Sequence, residues 1–219
     1  VKRLVVLIGS LALVAGLAWW GVYPGHAAAL FRHEPATAEP AVPLPDLLKS
    51  KGLPAKLSRP LLYVDKSELT LTLYEGTTAL KTYRVAMGPH YLAGAKLREG
   101  DKKTPEGRYF ISEKRIVFPA KSLLGSRWLG ISYPLAKDVA RGYAAGIITE
   151  EQYRELMELA REGKLLPQKT PLGGEIGIHG GHRADKGSAW TLGCIALTNR
   201  DVEELYPYVP VGTPIIIMP

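Results

Sequence analysis

Two residues of this chain have side chains suited to nucleophilic chemistry. Cys194 is the only cysteine, and His179 lies upstream of it across a glycine-rich loop. An imidazole beside a thiol can take its proton or form a thiolate–imidazolium pair, and either makes the sulfur a nucleophile for acyl transfer. We therefore predict that Cys194 is a nucleophile and that His179 is its general acid and base.

The neighbouring residues supply the remaining parts of such a site. The imidazole needs an acceptor that fixes its tautomer, and the backbone carbonyl of Gly180 is a better candidate than Asp185. Attack on an amide creates negative charge on the carbonyl oxygen, which the backbone N–H groups of Leu192, Gly193 and Cys194 can stabilise. The candidates for substrate binding are Thr191, Arg183 and Trp190.

Structural explanations of the same residues stay open. A free cysteine is often a small buried hydrophobe, and His179 can be a structural histidine at a strand end. His179, His182 and Cys194 can also form part of a zinc site, but no further ligand is evident. We therefore expect neither a metal nor a cofactor. Arg183 can simply be solvated, and Trp190 can be a core residue.

Residues 1–30 read as a signal peptide or a membrane anchor. Lys2 and Arg3 precede an uncharged apolar run over residues 4–23. The run is long for the core of a cleaved signal, and its aromatic residues resemble an interfacial belt. Both interpretations place the rest of the chain outside the cytoplasm, in the periplasm or cell envelope. An exported protein normally pairs its cysteines, so a single one indicates a free thiol.

Charge gives little information about partners. The net charge is +7, and the densest basic stretch, residues 96–115, also contains four acidic residues. That mixture is typical of a solvated surface and not of a nucleic-acid site, so no nucleic acid is expected.

Proline divides the chain. Residues 31–60 are rich in proline and alanine and are predicted to be a linker. Alternatively, the part from Pro45 to Pro60, with Leu47, Leu48 and Leu53, packs on the domain as a short helix. Residues 61–219 have the size of one domain.

The domain begins with strand patterns. Leucine and threonine alternate over residues 69–73, which predicts a half-buried strand. A turn at residues 75–77 leads to a second strand over 80–87. After a long loop, a third strand is predicted over residues 108–116.

Two helices are predicted inside the domain, at about residues 134–163. The first begins at Pro134 and ends at Gly146, and the second has a capping box at Thr149 and Gln152. Short strands over residues 175–179 and 194–197 flank the glycine-rich loop. A helix capped by Thr198 or Asn199 follows, and a strand over 211–218 ends the domain. The predicted class is mainly β with a helical insertion.

Three motifs carry a resemblance to a known family. Ile178-His179-Gly180, then Thr191-x-Gly193-Cys194-Ile195, then Val211-Gly212-Thr213-Pro214 look like the L,D-transpeptidase catalytic domain (YkuD-like) family. Residues 103–107, Lys-Thr-Pro-Glu-Gly, are also familiar from the strand that enters the site in that family, although they can serve only as a turn. The resemblance covers roughly residues 61–219. It implies a β-sandwich or barrel-like fold, a periplasmic location and a cysteine that attacks peptidoglycan stem peptides.

The resemblance also implies a reaction. The expected enzyme acylates Cys194 with a stem tetrapeptide, releases the terminal D-amino acid and transfers the peptide to an amine acceptor. This chain has Leu192 where the family often has histidine, and Ala196 where it often has an arginine that can bind a substrate carboxylate. The alternatives are an L,D-carboxypeptidase or amidase-type hydrolase of the same fold, or a non-catalytic peptidoglycan-binding module.

Overall fold

The computed structural model describes residues 42–219. The predicted signal or anchor at residues 1–30, with its apolar run at 4–23, lies outside this range, as does the start of the predicted linker. Within residues 42–219, every helix is too short or too polar to cross a membrane.

Eight strands form one mixed sheet around the core. In chain order they are β1 (Pro60–Asp65), β2 (Thr70–Glu75), β3 (Thr78–Arg84), β4 (Gly107–Ile116), β5 (Arg127–Ile131), β6 (Gly177–His179), β7 (Ile195–Ala196) and β8 (Pro214–Met218). Their spatial order is β3-β2-β1-β8-β4-β5-β6-β7. The pairs β1–β8 and β6–β7 are parallel, and the other pairs are antiparallel.

The two ends of this sheet meet. Ala86 lies just after β3 and pairs with Ala196 of β7, with reciprocal backbone hydrogen bonds of 2.8 and 2.7 Å. Closing a sheet in this way satisfies the polar groups of its edge strands and encloses an apolar interior. The barrel-like, mainly β class predicted from the sequence is therefore confirmed.

The predicted half-burial of the first strand pattern is wrong. Leu69 lies in the turn before β2, and the threonines Thr70 and Thr72 are buried like the leucines between them. A buried hydroxyl needs a hydrogen-bond partner. The hydroxyl of Thr72 has one in the hydroxyl of Thr82 on β3, at 2.9 Å, so this strand tolerates polar residues inside the fold.

A short helix, α1 (Leu44–Ser50), precedes the sheet. Leu44 and Leu48 belong to the main hydrophobic core, and the backbone N–H of Leu44 donates to a carboxylate oxygen of Glu204 at 2.8 Å. The linker interpretation therefore does not hold for these residues, because their leucines bury apolar surface. The alternative of a short packed helix is correct.

The helical insertion consists of α2 (Ala136–Ala144) and α3 (Glu150–Arg161). The capping box of α3 is present: the hydroxyl of Thr149 accepts from the backbone of Gln152, whose side chain accepts from the backbone of Thr149. The insertion packs around a separate small apolar cluster, formed by Val139, Ile148, Leu156, Leu166 and Leu172.

One more helix, α4 (Asn199–Leu205), follows β7. Thr198 is its N-cap and accepts from the backbone N–H of Asp201 at 3.1 Å. This frees the side chain of Asn199 for contacts elsewhere.

Candidate active site

The parallel pair of β6 and β7 brings His179 and Cys194 to the same place. His179 is the last residue of β6 and pairs with Ala196, while Cys194 immediately precedes β7. The two side chains line one cleft of ≈ 490 Å³. Cys194 is half-buried with a free thiol and lines this cleft, so a ligand bound there lies next to it.

A single strong contact fixes the ring of His179. Its Nδ1 lies 2.6 Å from the carbonyl oxygen of Gly180. A carbonyl can only accept, so Nδ1 carries the proton and Nε2 keeps its lone pair. This is the contact expected from the sequence. Asp185, the other candidate, instead pairs with Arg183.

Two tryptophans confine the same ring. Trp128 is nearly parallel to the imidazole, with ring centroids 6.2 Å apart, and Trp190 meets it edge-on at 5.8 Å. The indole N–H of Trp190 also donates to Nδ1 of His182 at 3.3 Å. Trp190 thus lines the cleft and confines the imidazole, and its role in substrate binding stays a prediction.

The ring and the thiol are both neutral at neutral pH. Burial lowers the pKa of His179 to about 4, an effect that the hydrogen bond to Gly180 opposes and the charge of Lys186 reinforces. Burial raises the pKa of Cys194 to about 11, although the N–H of Gly177 and the charge of Lys96 act in the other direction. The resting site therefore holds a thiol and a neutral imidazole, and not an ion pair.

The backbone around the sulfur is constrained. The thiol donates to the carbonyl oxygen of Glu175, at 3.6 Å. Glu175 has a φ of 52°, in the left-handed region that only glycine adopts readily. The side chain of Gln168 holds it there by accepting from its N–H at 2.8 Å. Strained residues of this kind cluster at functional sites.

The turn that carries Cys194 is held from inside. The hydroxyl of Thr191 donates to the carbonyl oxygen of Cys194 at 2.7 Å and accepts from the N–H of Gly193 at 3.2 Å. The N–H of Gly193, a predicted oxyanion donor, is thus already occupied. Leu192 is 72 % exposed and lines the cleft, and its predicted role rests on its backbone N–H.

Arg183 is not brought to the sulfur. It forms an exposed ion pair with Asp185 and lines neither of the two clefts that contain Cys194 in the described part of the chain. Its predicted role in substrate binding has no support from its position. The contrary interpretation, a solvated loop charge, describes its surroundings better.

Two residues that the sequence analysis did not select contribute to the site. Asn199 accepts from the backbone N–H groups of Gly181 and Ser126, at 2.9 and 3.1 Å, and so holds the loop that follows His179. Lys96 is 3 % exposed and lines the cleft, although its charged neighbourhood in the sequence predicted a solvated surface. In the sequence, only the polar type of each side chain could have indicated a role in the site.

A second cleft also reaches Cys194. Its volume is ≈ 630 Å³, and its lining includes the carboxylate-bearing residues Glu113 and Glu175. Leu165 and Leu166, which follow the helical insertion, line this cleft as well, whereas residues 134–163 line neither cleft in the described structure. The thiol therefore lies where two clefts meet.

Solved structures of similar proteins provide a comparison. Bd1075 of Bdellovibrio bacteriovorus is 25% identical over 74% of this chain and 48% of its own, with a TM-score of 0.48. The helical cell shape determining protein Pgp2 of Campylobacter jejuni is 24% identical over 73% of this chain and 47% of its own, with a TM-score of 0.47. An L,D-transpeptidase of Xylanimonas cellulosilytica is 15% identical over 81% of this chain and 70% of its own, with a TM-score of 0.41. The chain thus spans about half the length of the first two structures.

Sequence comparison gives the family. No curated protein matches the chain. The family model of the L,D-transpeptidase catalytic domain (YkuD) matches residues 59–217, which include both candidate catalytic residues and all eight strands except the last residue of β8. By this match the chain belongs to the L,D-transpeptidase catalytic domain family.

Proposed function

We propose that the protein is a cysteine L,D-transpeptidase that modifies peptidoglycan stem peptides in the bacterial envelope. The observation that carries the proposal is the placement of His179, at the end of β6, and Cys194, just before β7, at one cleft, with Nδ1 of the histidine hydrogen-bonded to the carbonyl oxygen of Gly180. A base with a free Nε2 and a half-buried thiol in a cleft is an arrangement suited to acyl transfer.

The first step forms a thioester. Cys194 attacks the amide that links a diamino acid to the terminal D-amino acid of a tetrapeptide, while its proton passes to Nε2 of His179. Because the thiol and the imidazole are both neutral at rest, the proton moves as the sulfur–carbon bond forms. The imidazolium then protonates the leaving amine as the carbon–nitrogen bond breaks, and the D-amino acid departs.

Negative charge on the carbonyl oxygen has to be met by backbone donors. The N–H groups of Leu192 and Cys194 serve as these donors, since Gly193 donates to Thr191. Gly193 contributes instead by permitting a backbone conformation with a φ of 131°. Loss of one oxyanion donor typically costs about 3 kcal/mol of barrier.

The second step transfers the peptide. A side-chain amine of a second stem attacks the thioester carbon, its proton passes to His179, and the thiol of Cys194 is regenerated. The second cleft supports transfer to an amine, because it reaches Cys194 and its lining includes Glu175, whose carboxylate suits an acceptor that arrives as an ammonium; Glu113 there is already paired with Arg115. Water in the same position makes the enzyme an L,D-carboxypeptidase.

The proposal includes a location. An exported chain, either cleaved after its signal or anchored by residues 4–23, meets its peptidoglycan substrate in the periplasm or cell envelope. The support is the charge and apolar pattern of residues 1–30 in the sequence.

The test compares the full chain with its Cys194→Ala variant on disaccharide tetrapeptides, with products identified by mass. Cross-linked dimers from the wild type alone support a transpeptidase, and trimmed monomers alone indicate a hydrolase. Unchanged substrate with retained binding indicates a binding module and contradicts the proposal. A thiol-acylating β-lactam is expected to add its mass to the wild type only.

A further inference from the structure

Lys96 occupies an unusual position for a lysine. It is 3 % exposed and lines the same cleft as His179 and Cys194. Lysine is almost never fully buried unless it is paired, because an ammonium loses its hydration on burial. The placement of this cation beside the sulfur thus requires a specific explanation.

A rigid carboxylate holds the ammonium. Nζ of Lys96 donates to Oδ1 of Asp101 at 2.9 Å and to the carbonyl oxygen of Arg98 at 3.0 Å. Asp101 also accepts from the backbone N–H groups of Leu97, Arg98 and Lys103. Burial raises the pKa of Asp101, but these hydrogen bonds outweigh that effect and keep the pKa below its ordinary value, so the carboxylate stays charged.

A glycine, Gly173, leaves room for the aliphatic part of the Lys96 side chain. A Cβ at Gly173 would lie 2.9 Å from Cε of Lys96, and Gly173 has a φ of 82°. Both features favour glycine at this position. The side chain of Lys96 therefore packs closely against the backbone of Gly173, which lines the same cleft.

One donor of the ammonium is left for a ligand. An ammonium has three N–H groups, and within residues 42–219 only Asp101 and the carbonyl of Arg98 accept from Lys96. Because the residue lines the cleft, a ligand there can accept from the third group.

We propose that Lys96 binds the terminal carboxylate of the peptide whose last amide bond Cys194 attacks. This inference rests on the proposed function. In such a peptide the carboxylate lies one residue beyond the scissile carbonyl, so a cation near the sulfur is in the right region to bind it. Lys96 is near enough to act electrostatically on the sulfur, since its charge favours the thiolate of Cys194.

Other cations are poorer candidates for this role. Arg183 is paired with Asp185 away from the cleft, and Ala196 stands at the position where the family often has arginine. Lys102 and Lys169 line the cleft but are exposed, and an exposed ammonium keeps its hydration. Among the lysines and arginines of residues 42–219, only Lys96 combines burial, a fixed position and contact with this cleft.

The experiment measures binding separately from turnover. The full chain carrying Cys194→Ala is titrated with a stem tetrapeptide that ends in a carboxylate, and with the same peptide ending in a carboxamide. We expect the carboxylate peptide to bind about 10- to 100-fold more tightly, the factor typical of a charge-assisted hydrogen bond in a partly desolvated site. Adding Lys96→Met is expected to abolish this preference and to leave the carboxamide peptide's affinity unchanged.

Lys102→Met is the matched control, because it removes a lysine from the same cleft at an exposed position. It is expected to keep the preference. If Lys96→Met fails to fold, Lys96→Gln replaces it, since an amide can still donate to Asp101, and the same loss of preference is expected.

Several results overturn the inference. These are equal binding of the two peptides to the Cys194→Ala chain, no binding of either, a preference that survives both Lys96 variants, or a preference that Lys102→Met also abolishes. Turnover by the wild type separates this inference from the proposed function. Product formation without a carboxylate preference refutes only the role of Lys96, and a preference without product refutes only the proposed reaction.

Discussion

The hydroxyl of Thr104 donates a hydrogen bond of 3.0 Å to the carbonyl oxygen of Gly193, across 89 positions of sequence. Thr104 is fully buried and belongs to residues 103–107. From the sequence, this segment could be either a simple turn or a part of the site. The contact fixes the residue that precedes the nucleophile. The segment therefore supports the turn of Cys194 and is more than a connection into β4.

Replacing Thr104 by valine tests this support. Thr104→Val keeps the shape of the side chain and leaves the buried carbonyl of Gly193 without its donor, so we expect the free energy of unfolding to fall by about 1–3 kcal/mol. The turn of Cys194 also loosens, which is expected to lower kcat. Urea unfolding and turnover of the tetrapeptide measure the two effects.

Thr213→Val is the control for this prediction. The hydroxyl of Thr213 is also buried and donates to a backbone carbonyl, that of Pro210 at 2.7 Å, before β8. We expect a similar loss of stability with unchanged kcat. If the two variants lose the same fraction of activity, Thr104 acts only through general stability.

The titration of His179 gives a second prediction. Since burial lowers its pKa to about 4, the imidazole stays a base down to that pH, and kcat/KM is expected to remain flat from pH 8 to pH 5. An NMR titration of the ring in the Cys194→Ala chain is expected to show a midpoint near 4. A midpoint near the ordinary value of 6.5 contradicts the buried, neutral ring.

The lowered pKa of His179 also makes the free energy of unfolding depend on pH. The folded pKa is below the unfolded one, so between about pH 4 and 6.5 the unfolded chain binds more protons, and stability falls as the pH falls through this window. His179→Gln removes the group. We expect its unfolding free energy to depend less on pH than that of the wild type, by roughly 3 kcal/mol across the window.

The sequence predicted that Cys194 and His179 lie at one site better than it predicted the strands of the sheet. Cys194 and His179 stand out because their types are rare in this chain and their glycine-rich surroundings are distinctive. Strands β1 and β5 were missed because both are short and contain continuous apolar runs, Leu-Leu-Tyr-Val and Trp-Leu-Gly-Ile, without the alternation of polar and apolar residues that indicates a half-buried strand.

The sequence also failed to predict which polar residues are buried. Thr72 and Lys96 lie in segments that look half-exposed or solvated, and their burial depends on specific partners that the polarity of the segment does not reveal. Thr72 needs Thr82, and Lys96 needs both Asp101 and the space beside Gly173. The contact of Thr72 with Thr82 and the approach of Gly173 to Lys96 depend on how the chain folds back, whereas Asp101 lies only five positions from Lys96 in a stretch whose mixed charges indicated a solvated surface.

Gly193→Ala tests whether the backbone before the sulfur is essential. With a φ of 131°, and with a Cβ that would lie 2.6 Å from the carbonyl oxygen of Lys103, this position excludes side chains both conformationally and sterically. We expect a loss of about 1–3 kcal/mol from the backbone alone, and a larger one if the turn cannot shift. Activity is expected to disappear, because any shift moves Cys194 relative to His179.

Gly187→Ala is the matched control, since its φ of 64° is also positive but a Cβ there meets nothing within 4 Å. That variant is expected to cost less stability and to retain turnover, so an active Gly193→Ala enzyme would show that the turn tolerates displacement and that its geometry does not limit the reaction.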